Sequence, residues 1–168
     1  MIEMLEIKPW FFHVEPYEEE SISHFLGRFK RANALTSSGL GKASGVGGSL
    51  SRWEKFRFNP RPSQQELESL TKVVGIDADR LAQMLPPMGK SMDLEPIKLC
   101  GACYAELPCH RIKWQLKVTR GCSRHGLRLL SECPKCGARF KIPALWLDGH
   151  CHRCFMNFAE MRDCQKVV

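Results

Sequence analysis

The stretch Cys122-Ser123-Arg124-His125-Gly126-Leu127-Arg128-Leu129-Leu130-Ser131-Glu132-Cys133-Pro134-Lys135-Cys136 places two pairs of metal-binding side chains a few residues apart, each pair separated by two residues. Tetrahedral zinc, with Zn–S bonds of about 2.3 Å, needs two thiolates less than about 4 Å apart, and a tight C-x2-C turn supplies that separation. The same spacing recurs on both sides, as Cys100/Cys103 upstream and Cys151/Cys154 downstream. Gly101 lies inside the first turn, while Pro134 fixes the third turn and Gly137 lets the chain leave it. Eight candidate ligands follow in order: Cys100, Cys103, Cys122, His125, Cys133, Cys136, Cys151 and Cys154. They imply two structural Zn²⁺ ions. Sequential sharing gives C-x2-C-x18-C-x2-H and then C-x2-C-x14-C-x2-C, whereas a cross-brace would pair alternate turns. Asp148-Gly149 is a hairpin signal between Cys136 and Cys151. Phe140 and Ile142, then Leu145 and Leu147, alternate as its two short strands, which favours the sequential arrangement. Four protein ligands per ion leave no open position to activate water, so metal-based catalysis is not expected. Cys109 and Cys164 are left over. Cys109-His110 has no third group nearby to orient it as a nucleophile and base.

Composition supports this reading. Nine cysteines in 168 residues would suggest disulfides in a secreted chain. The opening Met1-Ile2-Glu3-Met4-Leu5-Glu6 has acids where a signal peptide needs bases and lacks an apolar core region. A cytoplasmic location is therefore expected, with thiols kept reduced and available to metal. No run of about 18 apolar residues exists, so no membrane span is expected. Residues 1–95 hold 12 Lys/Arg against 13 Asp/Glu, and residues 96–168 hold 13 against 5, a net of +8. Seven thiolates and two Zn²⁺ would bring that half to +5, still enough to favour an acidic partner. A solvated basic face explains the same charge.

The first half reads as helical. Glu18 to Ala32 forms one helix, with Glu18, Glu19 and Glu20 at its positive end and Ile22, Phe25, Leu26 and Phe29 as its apolar stripe. Residues 36–58 read as short helices joined by glycine turns, one of them Ser49 to Phe56; the Walker pattern fails around Lys42. Ser63 and Glu66 make a capping box before Leu67, Leu70, Val73 and Val74, and Gly75 ends that helix. Asp77 starts another helix with Leu81, Met84 and Leu85, stopped by Pro86-Pro87. This helix-turn-helix pattern is shared by DNA-binding modules and plain bundles. Residues 88–96 read as a linker. The expected architecture is an α-helical helix-turn-helix domain over 1–95, with an extended N-terminal segment, and a small α+β tandem zinc-finger or zinc-ribbon domain over 96–168.

Two segments resemble a known family. Pro16-Tyr17-Glu18-Glu19-Glu20-Ser21-Ile22-Ser23-His24-Phe25-Leu26-Gly27-Arg28 resembles the opening motif of the TniQ/TnsD family of transposon target-selection proteins, and Cys122–Cys136 resembles its C-x-x-H…C-P-x-C zinc core. The short length is similar to the TniQ of CRISPR-associated Tn7-like transposons of type V-K. The resemblance implies a helix-turn-helix domain, two zinc-finger units and a non-catalytic adaptor in RNA-guided transposition. Its implied partners are the AAA+ ATPase TnsC and the type V-K Cas effector with its guide RNA, with target DNA nearby. Trp10 is the candidate TnsC anchor, since aromatics dominate interface energetics; burial in a core is the competing role. Lys113, Lys117, Arg120, Arg124 and Arg128 are candidate phosphate contacts. Without the resemblance, a zinc-containing, sequence-specific DNA-binding transcriptional regulator fits equally well.

Overall fold

The computed structural model describes residues 11–168. The described chain is mostly helical, with six α-helices, three 3-10 turns and one two-stranded sheet. The helices are α1 (Ile22–Ala32), α2 (Ser37–Ser44), α3 (Ser49–Glu54), α4 (Gln64–Val74), α5 (Ala78–Ala82) and α6 (Gly101–Glu106). The strands β1 (Gly121–Cys122) and β2 (Leu127–Arg128) are antiparallel, pairing Gly121 with Arg128 and Cys122 with Leu127.

Local sequence accounts for the helix ends. Ser21 caps α1 by accepting from the His24 backbone N–H, and Ser63 with Glu66 forms the expected reciprocal capping box on α4. Gly75 then takes the left-handed conformation, φ 71°, that closes α4. The predicted stripe of α1 is fully buried: Ile22, Phe25, Leu26 and Phe29 sit in a core with Leu40, Leu50, Trp53, Leu70 and Met84. Each such side chain contributes about 1.5–3 kcal/mol relative to exposure. A second apolar cluster gathers Trp114, Phe140, Trp146, Phe158 and Met161 around the cysteine turns.

Two expectations are corrected. The helix α1 starts at Ile22, so Glu18–Glu20 do not form its first turn. Glu19 adopts φ 61° and reaches Arg111, while Glu20 turns inward to His24 and Arg28; these pairings outweigh a helix-end effect of under about 1 kcal/mol. The strands expected at Phe140/Ile142 and Leu145/Leu147 do not form. Pro143 lacks the ladder N–H and opens a 3-10 turn over Pro143–Leu145, and Trp146 is buried instead of alternating outward.

That 3-10 turn is where α1 meets the cysteine-rich half. Gly27 packs directly on the Ala144 backbone. Ala144 N–H donates to Ser23 Oγ at 3.1 Å, and Arg31 Nη1 donates to Ala144 O at 3.0 Å. Nearby, Ser21 N–H donates to His110 O at 2.8 Å, and the His110 ring contacts Ser21 Oγ at 2.8 Å. The residues that carried the family resemblance thus cap α1 and fasten it to the second half.

Candidate metal centres

Each centre is assembled from two short turns. In the first, Cys100 occupies the cap position of α6 and Cys103 lies within that helix, while Cys122 ends β1 and His125 sits in the turn leading to β2. Gly126, at φ 64°, allows the turn, and its N–H closes onto Cys122 O at 2.8 Å. Cys103 Sγ lies 3.3 Å from Cys122 Sγ and 3.3 Å from His125 Nδ1; Cys122 Sγ lies 3.4 Å from Nδ1 and Cys100 Sγ 4.0 Å. A tetrahedron with Zn–S bonds of about 2.3 Å has edges near ~3.8 Å, so these atoms need only slight expansion to enclose an ion.

In the second centre, Cys133 and Cys136 occupy a turn closed by Gly137 N–H to Cys133 O at 2.9 Å, with Gly137 at φ 73°. Cys151 and Cys154 occupy its counterpart, closed by Phe155 N–H to Cys151 O at 3.0 Å, with Phe155 at φ 64°. Cys133 Sγ is 3.5 Å from Cys154 Sγ, and Cys136 Sγ is 3.6 Å from Cys151 Sγ. The ligand atoms of each set lie within 4.8 Å of one another. The sets are sequential, Cys100/Cys103/Cys122/His125 and Cys133/Cys136/Cys151/Cys154. Both sets can hold a metal ion, and their sulfur-rich donors are consistent with zinc.

Neighbouring groups prepare the donors. His125 Nε2 lies 2.6 Å from Glu106 Oε1, and Arg124 Nε donates to Glu106 Oε2 at 2.8 Å. The hydrogen bond from His125, with the nearby Arg124 charge, holds the Glu106 carboxyl below the usual range. A proton on Nε2 shared with Glu106 leaves the Nδ1 lone pair facing the three thiols, the arrangement that orients a histidine ligand. Contact with the Cys103 thiol pulls the Cys100 thiol down to about 5, while that of Cys103 is pushed up. Although burial pushes the Cys151 thiol up, backbone N–H groups of Cys154 and Arg153 bring it to about 7.

An aromatic cluster braces the second centre. Trp146 packs edge-on to Phe158 with centroids 4.7 Å apart, and also meets Tyr104, His110 and His24. His24 pairs with the buried Glu20, which Arg28 also engages at 2.6 Å; the Arg28 guanidinium lies 4.2 Å above the Tyr17 ring. Burial holds His110 neutral, at about 3, and pushes the Cys109 thiol up to about 12. Cys109 is therefore an inert buried thiol at neutral pH, and His110 serves as a packed, hydrogen-bonded ring.

The candidate phosphate contacts divide. Lys113 pairs with Glu19 at 3.2 Å and Arg124 with Glu106 at 2.8 Å, whereas Lys117, Arg120 and Arg128 are exposed and make no ion pair among the described residues. Trp10 lies outside the described residues. Sequence reasoning missed Glu106 and Glu20. For Glu106 a signal existed, an acid three residues beyond Cys103 on the ligand-bearing helix; for Glu20 nothing local announced burial.

The fold and the two four-donor clusters define a small, mostly helical protein whose cysteine-rich half carries two sites able to hold metal ions. The TniQ family profile matches residues 11–129, and the chain belongs to the TniQ family. The match spans α1 through the first centre and ends before the second. No curated protein matches the chain. Membership carries a transposition-associated target-selection role, exercised in complexes with other proteins and DNA, in a family of non-catalytic adaptors. No helix among the described residues is long and apolar enough to cross a membrane.

Proposed function

We propose that this chain is the target-selection adaptor of an RNA-guided transposon of the kind that uses type V-K effectors. It links the TnsC AAA+ ATPase to the Cas effector and its guide RNA, in the cytoplasm, next to the target DNA. The observation that carries this reading is the family match across α1–α6 and the first centre. Two Zn²⁺ ions are held by Cys100, Cys103, Cys122 and His125, and by Cys133, Cys136, Cys151 and Cys154. When bound, zinc supplies cross-links between the short turns that carry its donors. Four donors fill each site, so the ions hold structure and do not activate water.

In this reading residues 1–95 form the helix-turn-helix domain, with α4, the Gly75 turn and α5 as its paired helices, and residues 96–168 form the double zinc domain. Lys117, Arg120 and Arg128 are the better candidates for phosphate contact, because Lys113 and Arg124 already face carboxylates. Trp10 is the proposed anchor on TnsC. The test is a reconstituted insertion reaction with transposase, TnsC, effector and guide RNA, run with and without this chain. Loss of guided insertion on omission is expected, together with direct TnsC binding. Unchanged insertion overturns the proposal. Duplex binding on the order of 10³-fold tighter for one sequence than for random DNA, without TnsC binding, would make the chain a DNA-binding regulator instead.

A further inference from the structure

A cleft of about 700 Å³ opens between two loop segments of residues 56–94, and none of its lining residues is a candidate metal ligand. One wall comes from the segment after α3, with Arg57, Phe58, Asn59 and Arg61; the other comes from the segment after α5, with Pro87, Met88, Lys90, Met92 and Leu94. Two chemical features coincide there. The lining is more apolar than polar, and Met88 is 77% and Leu94 44% exposed. Every charged residue of the lining is a cation: Arg57, Arg61 and Lys90. Among the described residues none of the three has a carboxylate within ion-pair distance; Arg61 donates only to Pro86 O, at 2.6 Å.

We propose that this cleft docks an acidic, amphipathic peptide segment of a protein partner. Its apolar side chains enter between Met88, Met92, Leu94 and Phe58, and its carboxylates meet Arg57, Arg61 and Lys90. Methionine suits such a surface, because its unbranched thioether adapts to varied apolar shapes. Arginine adds two-pronged recognition of carboxylate. A single nucleic acid strand is the less suited occupant, since it needs aromatic faces free for stacking. Phe56 is buried against His110, which leaves Phe58, edge-on to it with centroids 6.4 Å apart, as the single aromatic ring of the lining able to meet a ligand, too few to stack successive bases. The inference rests on the cleft itself and holds whichever complex the chain joins.

The test is selection from a random twelve-residue peptide display library on the zinc-loaded full chain, followed by anisotropy titration of the enriched peptides. Labelled oligo-uridine is titrated in parallel. Enriched peptides should carry net negative charge and at least two large apolar residues. The double substitution Arg57→Glu with Lys90→Glu should weaken them by on the order of tenfold or more, and Met88→Ser with Leu94→Ser by a similar factor, with melting temperature unchanged. All four sites are exposed, which keeps the fold out of the comparison. Enriched peptides without negative charge, or indifferent to both double substitutions, overturn the proposal. So does oligo-uridine binding more tightly than any selected peptide and losing affinity in the charge-reversed variant.

Discussion

Gly27→Ala tests how the two halves are joined. An added methyl carbon would stand 2.7 Å from Ala144 Cα and 2.8 Å from its carbonyl carbon, and nearer still to its carbonyl oxygen. All three are backbone atoms, so no side chain can swing aside. Ala144 cannot retreat without stretching its bonds to Ser23 Oγ and Arg31 Nη1. Overpacking of this kind costs roughly 1–3 kcal/mol. Each weakened hydrogen bond adds about 1 kcal/mol. Against this, alanine gains about 0.5–1 kcal/mol over glycine inside a helix. The net expectation is a loss of about 2–4.5 kcal/mol, which for this chain length lowers the melting temperature by roughly 2–4 °C per kcal/mol. Urea unfolding followed by circular dichroism measures it, and metal content should not change. A variant as stable as the parent, or more stable, would refute the claim that α1 docks backbone-to-backbone on the Pro143–Leu145 turn.

Three further perturbations have defined outcomes. Glu106→Ala, by freeing His125, should weaken metal at the first centre about 10–100-fold in chelator competition while leaving the second unchanged. Cys151→Ser should remove one zinc per chain and unfold much of the cysteine-rich half, seen as a loss in circular dichroism and metal analysis. The third concerns acid. Burial holds His110 at about 3, below the ordinary value near 6.5 that it regains on unfolding, so its stabilising effect is complete above about pH 6.5. As pH falls below that, the unfolded chain gains the proton first, and stability drops by about 1.4 kcal/mol per pH unit until the folded value is reached. His110→Asn, measured in excess zinc between pH 7.5 and 5.5, should flatten the profile by that amount, and an identical slope would contradict the assignment. His24, depressed first by its burial, adds a decline of the same sign.

What was legible in the sequence was local. The cysteine turns could be read because two-residue spacing fixes the distance between donors before any tertiary contact forms, and the eight groups do gather in chain order. The stripe of α1 and the capping box of α4 follow from helical periodicity and one hydrogen-bond pair. What escaped depended on partners far along the chain. Glu18–Glu20 looked like helix-end acids, yet Glu19 meets Arg111 and Lys113 more than 90 residues away. The same pairing occupies Lys113, one of five cations that composition alone left indistinguishable. At 140–147 the alternation of apolar residues outweighed Pro143 in the reading, whereas in the fold proline and the burial of Trp146 decide.

The central claim is that two closed zinc sites hold the cysteine-rich half as a rigid scaffold. Native mass spectrometry of the chain, combined with thiol titration before and after denaturation in chelator, tests it most directly. Two zinc ions per chain are expected, with one thiol, the exposed Cys164, reacting in the native protein and all nine reacting afterwards. Fewer than two ions, or native reactivity at several of the seven candidate ligand cysteines, would contradict it.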